Sequence, residues 1–533
     1  MKNTKKFAAF VASILAVACM AAPMATSFSA DAASITLTST GATVDHTYSA
    51  YQIFTGTLAD GKLGDLKWGA NVGTYNGSSV TIGDEVPEEV INAITAYTNN
   101  DAVGLRDWVA ENITTKGDAA GTATGKETAT IENLTDGYYL VKDSVIAGSD
   151  EAASTWMLQV AGDATKAIKN AKPSVDKFVQ DEAADKDTTT VGNATDDEKA
   201  AGWAKSADHE IGETFQFKLK ATIPVDADLA AYKTYKLVFT DTLLKGVTFE
   251  KITSVTVNGT TVAADKYTST AVNGDTNKSF TVTLDDVKEL AGSSFGTREV
   301  TVEVFYDAHL NADADVAGAA NDTTTNNHNK VYLEYSNNPN VGGEGELGKT
   351  NEEDVDVYTY LANGKKVAGD ENGDATTTPL AGVKFRLYDA LTEGNEIKVV
   401  SNGEGNGNYR LAIGEEEGVD IVTDADGKFV IKGLDNGTYY LEETETLAGY
   451  NLLKARQEVT LTATHSHEKV LTLNYSGAVG TGEDANTYVI VNNQGSTLPS
   501  TGGIGTTIFY VAGGALVVGA GVLLVSKKRM SNK

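Results

Sequence analysis

The chain has 533 residues, of which 43 are basic and 73 acidic, so its formal net charge is −30. Such an excess of negative charge argues against nucleic acid or an anionic membrane as a partner. Proline is rare, and short alternating apolar–polar segments recur between Gly, Asn and Asp residues, a pattern typical of several β-sandwich domains. We therefore expect an all-β protein of tandem domains.

Residues 1–32 have the layout of a cleaved secretory signal peptide. Three lysines precede an apolar run at 7–20, and small residues follow at 29–32. The only cysteine, Cys19, lies in this run. The exported part would therefore lack disulfides, which many small secreted domains use for stability.

Residues 33–171 are predicted to form the first domain. The domain opens with strand-like sequence patterns at 35–38 and 48–54. Pro87 lies near the start of a predicted helix. Small helical insertions are expected here. Their apolar stripes, interpreted as core faces, are Val90, Ile91, Ile94 and Tyr97, then Leu105, Trp108, Val109 and Ile113.

The second predicted domain spans 172–350 and the third 351–495. Side chains two residues apart on a strand share a face. By this rule the second domain has three apolar rows, each of which includes one polar residue. The rows are Val175, Lys177 and Val179; Tyr235, Leu237, Phe239 and Asp241; and Asn329, Val331, Leu333 and Tyr335.

Burial of these three polar residues together favours one reaction. Desolvation would lower the pKa of Lys177 and raise that of Asp241. A neutral amine could then attack the side-chain carbonyl of Asn329 while the protonated acid polarises it, releasing ammonia and forming an amide.

An internal repeat links the first and third domains, because residues 133–143 resemble 433–444. In the third-domain copy, Tyr439, Leu441 and Glu443 share one face, so a carboxylate continues an apolar stripe. We interpret the first-domain copy as having Lys142 at that position, which predicts that the first domain has lost the acid.

Other candidate sites are weaker. His465 and His467 could form a metal pair on one strand face, but no third ligand is evident. The sequence has no Gly-rich phosphate loop and no nucleophile elbow. We expect no metal, no cofactor and no turnover enzyme.

Residues 496–533 carry a surface-attachment signal. An apolar run at 508–525 is just long enough to span a bilayer, and a basic cluster follows it. The motif before the apolar run is Leu498, Pro499, Ser500, Thr501 and Gly502. It matches, residue for residue, the sorting signal of Gram-positive surface proteins. In those proteins a sortase cleaves between the positions of Thr501 and Gly502.

The chain as a whole resembles the shaft (backbone) pilins of Gram-positive bacteria. Residues 48–54 look like that family's first-domain opening and 332–339 like its second-domain close. The third domain resembles the SpaA-like, collagen-adhesin B-type module, whose Tyr-x-Leu-x-Glu-Thr motif is matched from Tyr439 to Thr444, with Leu447 where proline is usual. The resemblance implies immunoglobulin-like β-sandwich domains closed by intramolecular Lys–Asn isopeptide bonds.

Residue by residue, the resemblance implies a bond from Lys177 to Asn329 assisted by Asp241. In the third domain it implies a bond from Lys366 to Asn492 assisted by Glu443. Three neighbours remain open as alternatives: Lys365 for Lys366, Asn327 for Asn329, and Asn493 for Asn492.

The resemblance also implies that Lys169, between the first two domains, accepts the activated Thr501 of the next subunit. Lys169 and Asn170 fit the family's Tyr-Pro-Lys-Asn-like motif, whose Tyr-Pro half is absent here, so Lys166 and Lys172 remain alternatives. The partners implied are a pilus-specific (class C) sortase, a housekeeping sortase, further copies of the chain, peptidoglycan, minor pilins and host receptors. The expected product is a fimbrium attached to the cell wall, supporting adhesion. The alternative is a monomeric wall-anchored adhesin or a minor or basal pilin.

Overall fold

The structure is a computed structural model. It describes residues 32–39, 42–59, 62–97, 102–145, 151–168, 172–181, 195–318, 320, 322–323, 327–341, 347–467, 469–477 and 479–494. Several predicted features lie outside these residues. They are the signal peptide up to residue 31, Lys169, the sorting motif and the apolar run at 508–525. Among the residues described, no helix combines the length and the apolar character needed to cross a membrane.

The first structural unit contains strands β1–β11 and helices α1 and α2. In chain order they are β1 Ala33–Ser39, β2 His46–Ala59, β3 Lys62–Trp68, β4 Val72–Tyr75, β5 Ser78–Ser79, α1 Glu88–Ala96, α2 Ala102–Asn112, β6 Ile113–Thr115, β7 Gly121–Gly125, β8 Thr128–Leu134, β9 Gly137–Ser144, β10 Thr155–Val160 and β11 Ala164–Ile168. A three-stranded sheet, β11-β1-β8, faces a five-stranded sheet built on β10-β9-β2-β3 with β7 beside β2. Strands β5, β4 and β6 form a small third sheet.

The two helices of this unit contribute to its core as the spacing predicts. Val90, Ile94, Leu105 and Val109 are all buried and pack with Trp68. Helix α1 begins directly after Pro87, and its first turn carries two glutamates, which interact favourably with the positive end of the helix dipole.

The second unit contains strands β12–β23 and two short helices. They are β12 Ser174–Gln180, α3 Asp196–Ala200, β13 Trp203–Ala204, β14 Ser206–Asp208, β15 Thr214–Ile223, β16 Leu237–Val257, β17 Thr260–Thr261, β18 Thr268–Ser269, β19 Thr276–Leu284, α4 Val287–Ala291, β20 Val300–Leu310, β21 His328–Ser336, β22 Leu347–Lys349 and β23 Glu353–Tyr358. All twelve strands belong to one continuous sheet because β16 is long enough to pair with β19 and β21 in its first half and with β20 in its second. The sheet thereby wraps around a single apolar core.

The third unit contains strands β24–β35 in two six-stranded sheets. They are β24 Tyr360–Gly369, β25 Ala375–Pro379, β26 Lys384–Tyr388, β27 Glu396–Ile397, β28 Val399–Ser401, β29 Asn408–Leu411, β30 Ile421–Val422, β31 Lys428–Leu434, β32 Gly437–Glu445, β33 Gln457–Ser466, β34 Lys469–Gly477 and β35 Thr487–Asn492. Apolar residues from both sheets form its core. The all-β prediction is confirmed. Short 3-10 helices occur at Ala227–Ala231, Ala264–Lys266, Gly292–Ser294, Pro339–Val341 and Gly482–Asp484.

The junction between the second and third units lies later than the sequence suggested. Strand β23 pairs with β21 and β14 of the second sheet, and Thr359 separates it from β24. A boundary at 350/351 would remove this strand from its sheet. Its burial pattern is compatible with either unit, so only the pairing partners, distant in sequence, decide its place.

Candidate isopeptide sites

The second unit brings Lys177, Asp241 and Asn329 together from three strands. Lys177 lies on β12, Asp241 on β16 and Asn329 on β21, and the last two strands are antiparallel neighbours. The side-chain alternation that predicted inward-facing rows is observed, and all three residues are 0% exposed.

A tyrosine hydroxyl joins these three side chains. Lys177 Nζ donates a hydrogen bond to Asp241 Oδ2 and another, of 3.1 Å, to the Tyr306 hydroxyl. That hydroxyl donates to Asp241 Oδ1 at 3.2 Å and accepts a bond from Asn329 Nδ2. The amine, the acid and the amide therefore form one connected polar cluster inside an apolar core.

Burial favours the uncharged forms of this cluster. It lowers the pKa of Lys177 to about 8, although the attraction of Asp241 opposes that change. It raises the pKa of the Asp241 carboxyl and raises that of the Tyr306 hydroxyl well above its ordinary value. The rings of Phe217 and Tyr306, with centroids 5.0 and 5.4 Å from Lys177 Nζ, form the low-dielectric surroundings.

The third unit repeats the arrangement with a glutamate. Lys366 lies on β24, Glu443 on β32 and Asn492 on β35, which runs parallel to β24. Lys366 Nζ donates to Asn492 Oδ1 at 2.5 Å and lies 3.5 Å from Glu443 Oε1. Asn492 Nδ2 donates to Glu443 Oε1 at 2.6 Å. All three side chains are buried.

Two further groups orient this second cluster. The Thr446 hydroxyl accepts a 2.6 Å hydrogen bond from Asn492 Nδ2, and the Leu453 N–H donates to Glu443 Oε2 at 2.8 Å. Burial lowers the pKa of Lys366 to about 8, with Glu443 opposing the change. A fraction of this amine is therefore neutral at physiological pH.

The neighbours left open by the sequence lie in different surroundings. Lys365 points to the opposite face of β24, where its Nζ contacts Asp484 at 2.8 Å. Both side-chain atoms of Asn327 bond to backbone groups of Asp315, and its Nδ2 also bonds to the Val357 carbonyl. Asn493 lies directly after β35, one position beyond Asn492.

The first unit keeps the acid but lacks the amine at the corresponding position. Tyr139 and Tyr439 each donate to the carbonyl four residues earlier, which aligns Asp143 with Glu443. The prediction that Lys142 replaces the acid is therefore wrong by one position. Asp143 is fully buried, and both of its oxygens lie 2.9–3.0 Å from His46 Nδ1.

Strand registers explain the missing amine. Strand β1 is parallel to β11 and antiparallel to β8, as β24 is to β35 and β31. In these matched registers Ser39, opposite Ile168, takes the place of Lys366, opposite Ile490. A serine hydroxyl cannot form the same amide.

Sequence reasoning missed Tyr306 and Thr446. Tyr306 follows Val300, Val302 and Val304 on the buried face of β20, so it looks like an ordinary core aromatic. Its position between two strands that are distant in sequence could not be inferred from that row. Thr446 lies just beyond β32 and gives no sequence signal.

Both alternatives to Lys169 lie within the described residues. Lys166 is on β11, with its Nζ 3.5 Å from Asp228 Oδ1 and 5.7 Å from the Trp156 ring centroid. Lys172 is exposed just before β12. Lys169 itself lies outside the described residues, between β11 and β12 in the sequence.

Comparison with known proteins gives three family matches. The model described as Gram-positive pilin backbone subunit 2, Cna-B-like domain, matches residues 211–339. The SpaA prealbumin-like fold domain matches 366–475, and the LPXTG cell wall anchor motif matches 490–532. A search among curated proteins finds no match.

Several solved structures are similar at low identity. The full-length major pilin SpaD of Corynebacterium diphtheriae is 17% identical, with 87% of this chain and 98% of that chain covered and a TM-score of 0.40. The T6 backbone pilin of serotype M6 Streptococcus pyogenes is 16% identical, with 87% and 99% covered and a TM-score of 0.45. The full-length RrgB pilus protein of Streptococcus pneumoniae is 16% identical, with 89% and 100% covered and a TM-score of 0.42.

The family matches cover most residues of the two sites, and only Lys177 lies outside them. The pilin backbone match includes Asp241 and Asn329, and the SpaA match begins at Lys366 and includes Glu443. The anchor match includes the sorting motif and assigns the protein to the cell wall. The resemblance found in the sequence is therefore confirmed: the chain carries the domains of a Gram-positive pilin backbone subunit with an LPXTG cell wall anchor.

Proposed function

We propose that this protein is the shaft subunit of a covalent fimbria, joined head to tail by a sortase and stabilised internally by two Lys–Asn isopeptide bonds. The observation that carries the proposal is the pair of buried Lys–acid–Asn clusters, each connecting the first strand of a unit to one of its last strands. Buried charged groups are rare unless they are paired or functional, and here two clusters of the same composition recur.

In the second unit the neutral amine of Lys177 attacks Cγ of Asn329. A bond forms between Nζ and Cγ, the bond between Cγ and Nδ2 breaks, and Nδ2 leaves as ammonia with the proton that Nζ loses. The Asp241 carboxyl, whose pKa burial raises, carries the proton from Nζ to the leaving Nδ2. Tyr306, within hydrogen-bond distance of all three groups, holds them in register.

In the third unit Lys366 and Asn492 react in the same way with Glu443 as the proton carrier. The Glu443 oxygen that accepts from the leaving nitrogen is the one nearer to Lys366 Nζ, so one oxygen serves both proton transfers. Each reaction occurs once per molecule, which agrees with a structural protein rather than a turnover enzyme.

Intact mass of the mature protein tests the internal bonds. The wild type should weigh less than its sequence mass by two ammonia molecules. Lys366→Met should lose only one ammonia, because the bond in the third unit cannot form. Lys365→Met, one residue away on the solvent side, should still lose two. Mass spectrometry of peptides should recover Lys177 joined to Asn329. A mass equal to that of the sequence would refute both bonds.

For polymerisation, we propose that the class C sortase cleaves after Thr501 and transfers it to Lys169 of another copy. Lys169 follows the last strand of the first unit, and the sorting motif follows the last strand of the third. In the sequence the two joints thus flank the second and third units, so each addition would extend the fibre. The housekeeping sortase would attach the base to peptidoglycan.

Detergent-boiled cell-wall extracts distinguish the shaft from the alternative of a monomeric adhesin or basal pilin. A shaft subunit gives a ladder of high-mass species that Lys169→Ala abolishes, while Lys166→Ala and Lys172→Ala leave it intact. A ladder that survives Lys169→Ala would assign the acceptor to another lysine. Absence of any ladder in the wild type would favour the monomeric alternative.

A further inference from the structure

The contact between the second and third units contains a buried cluster outside both isopeptide sites. Asp181 follows β12, Asp208 ends β14, and His465 lies near the end of β33 in the third unit. One ligand atom from each, two carboxylate oxygens and His465 Nε2, lies within 4.8 Å of the other two. The three residues are between 2% and 4% exposed.

The distances do not match direct hydrogen bonds. His465 Nε2 is 3.5 Å from Asp181 Oδ2 and 3.5 Å from Asp208 Oδ1. Charge-assisted N–H···O bonds are shorter, about 2.7–2.9 Å. Among the described residues neither His465 Nε2 nor Asp208 Oδ1 has a hydrogen-bond partner. The ion pair between them, at 3.5 Å, compensates only partly for burial this deep.

The same distances match ligands around one small metal ion. Zinc binds imidazole nitrogen and carboxylate oxygen at about 2.0–2.2 Å in a tetrahedron, which separates neighbouring ligand atoms by about 3.4 Å. The two 3.5 Å separations at His465 Nε2 agree with that spacing. A divalent cation would also balance the two buried carboxylates.

Surrounding groups orient the ligands as metal sites require. Ser206 Oγ lies 2.9 Å from His465 Nδ1, so this nitrogen can donate and leave the Nε2 lone pair facing the carboxylates. The Tyr360 hydroxyl donates to Asp208 Oδ2 at 2.8 Å, which leaves Asp208 Oδ1 directed at His465. His465 and Asp208 therefore each have a second contact that fixes their orientation.

We propose that Asp181, Asp208 and His465 bind one Zn²⁺ that fastens the third unit to the second, with water as a fourth ligand. Zn²⁺ is favoured over Ca²⁺ because the site offers an imidazole and few oxygens, whereas Ca²⁺ takes six to eight oxygen ligands. Local sequence pattern could not reveal a third ligand for the His465 site, because both carboxylates come from another unit of the chain. His467, in contrast, faces Asp354 at 3.5 Å.

The test uses the full mature chain, stripped with a chelator and dialysed against Zn²⁺, with bound metal measured by elemental mass spectrometry. His465→Gln and Asp208→Asn should each bind one Zn²⁺ fewer than the wild type. His309→Gln, a histidine on β20 paired with Glu250, is the matched control and should bind as the wild type does. Zn²⁺ should raise the melting temperature of the wild type and of the control, but not of the two site variants.

Equal Zn²⁺ stoichiometry in wild type and both site variants would overturn the proposal, as would Ca²⁺ binding there in preference to Zn²⁺. If the variants fail to fold, the X-ray absorption spectrum of the Zn²⁺-loaded wild type decides. One imidazole and oxygen ligands at about 2.0–2.2 Å support the site, and a wild type that retains no Zn²⁺ refutes it.

Discussion

Replacing Lys366 by methionine tests whether a covalent bond closes the third unit. Methionine has a similar length and no amine, so the core stays filled while the bond cannot form. Glu443 and Asn492 keep the hydrogen bond between them. The sequence separation closed by the bond is 126 residues, and by the loop-entropy relation a closure of that length stabilises by about 5 kcal/mol.

Guanidinium unfolding of the third unit should therefore show a free energy lower by about 5 kcal/mol in Lys366→Met than in the wild type. Lys365→Met is the matched control, since it removes only a partly exposed contact with Asp484, for which a change below about 1 kcal/mol is expected. A wild-type unfolding midpoint in Lys366→Met, or an equal loss in both variants, would refute the cross-link argument.

The remaining predictions concern the second unit and its contact with the third. Asp241→Asn should leave that unit without its bond, visible as a mass higher by one ammonia. Tyr306→Phe should slow the reaction enough for it to be followed after isolation at acid pH. Because the pKa of Lys177 is about 8, its neutral fraction falls about tenfold per unit below pH 8. The rate should therefore rise between pH 6 and 8. Gly433 has a φ of +88°, and a Cβ there would lie 2.6 Å from the Ile211 side chain. Gly433→Ala should cost about 1–3 kcal/mol and reduce hydrogen-exchange protection of the Ile211 amide, which donates to the Gly433 carbonyl at 2.9 Å.

Side-chain alternation was enough to find three of the buried polar residues of the second unit. Each of Lys177, Asp241 and Asn329 interrupts an apolar row, and a period of two fixes which face it shares. The same rule failed to separate Lys365 from Lys366, because Gly364 obscures the alternation. In the structure Gly364 lies against Phe429, where a Cβ would come within 2.0 Å of the ring.

Features that depend on strand pairing could not be read from local pattern. The repeat between the first and third units was visible, yet aligning it one residue off hid Asp143, a position that the tyrosine hydrogen bonds fix. Strand β23 and the cluster around His465 were missed for the same reason, since their partners are distant in sequence.

The proposed bonds determine which part of a stretched subunit can lengthen. Tension entering at Thr501 reaches β35, crosses from Asn492 to Lys366, and continues along β24 and β23 towards Asn329, where it crosses to Lys177. The loops enclosed by the two bonds carry no load, because both ends of each loop are joined. Between the two bonds, only the segment from Asn329 to Lys366 bears the tension and can lengthen. The pairing of β23 with β21 and β14 holds this segment in place.

Single-molecule pulling between residues near Lys172 and Gln494 should therefore produce a limited extension. Released fully at about 3.3–3.6 Å per residue, the segment between the two bonds contributes no more than roughly 130 Å. Lys177→Met and Lys366→Met together should add further steps of several hundred ångströms, as the formerly closed loops unravel. Steps of that size in the wild type would show that the loops are open, and would contradict the cross-links whatever the mass spectrum suggested. If the extension stays short, a subunit lengthens only at the junction between its second and third units.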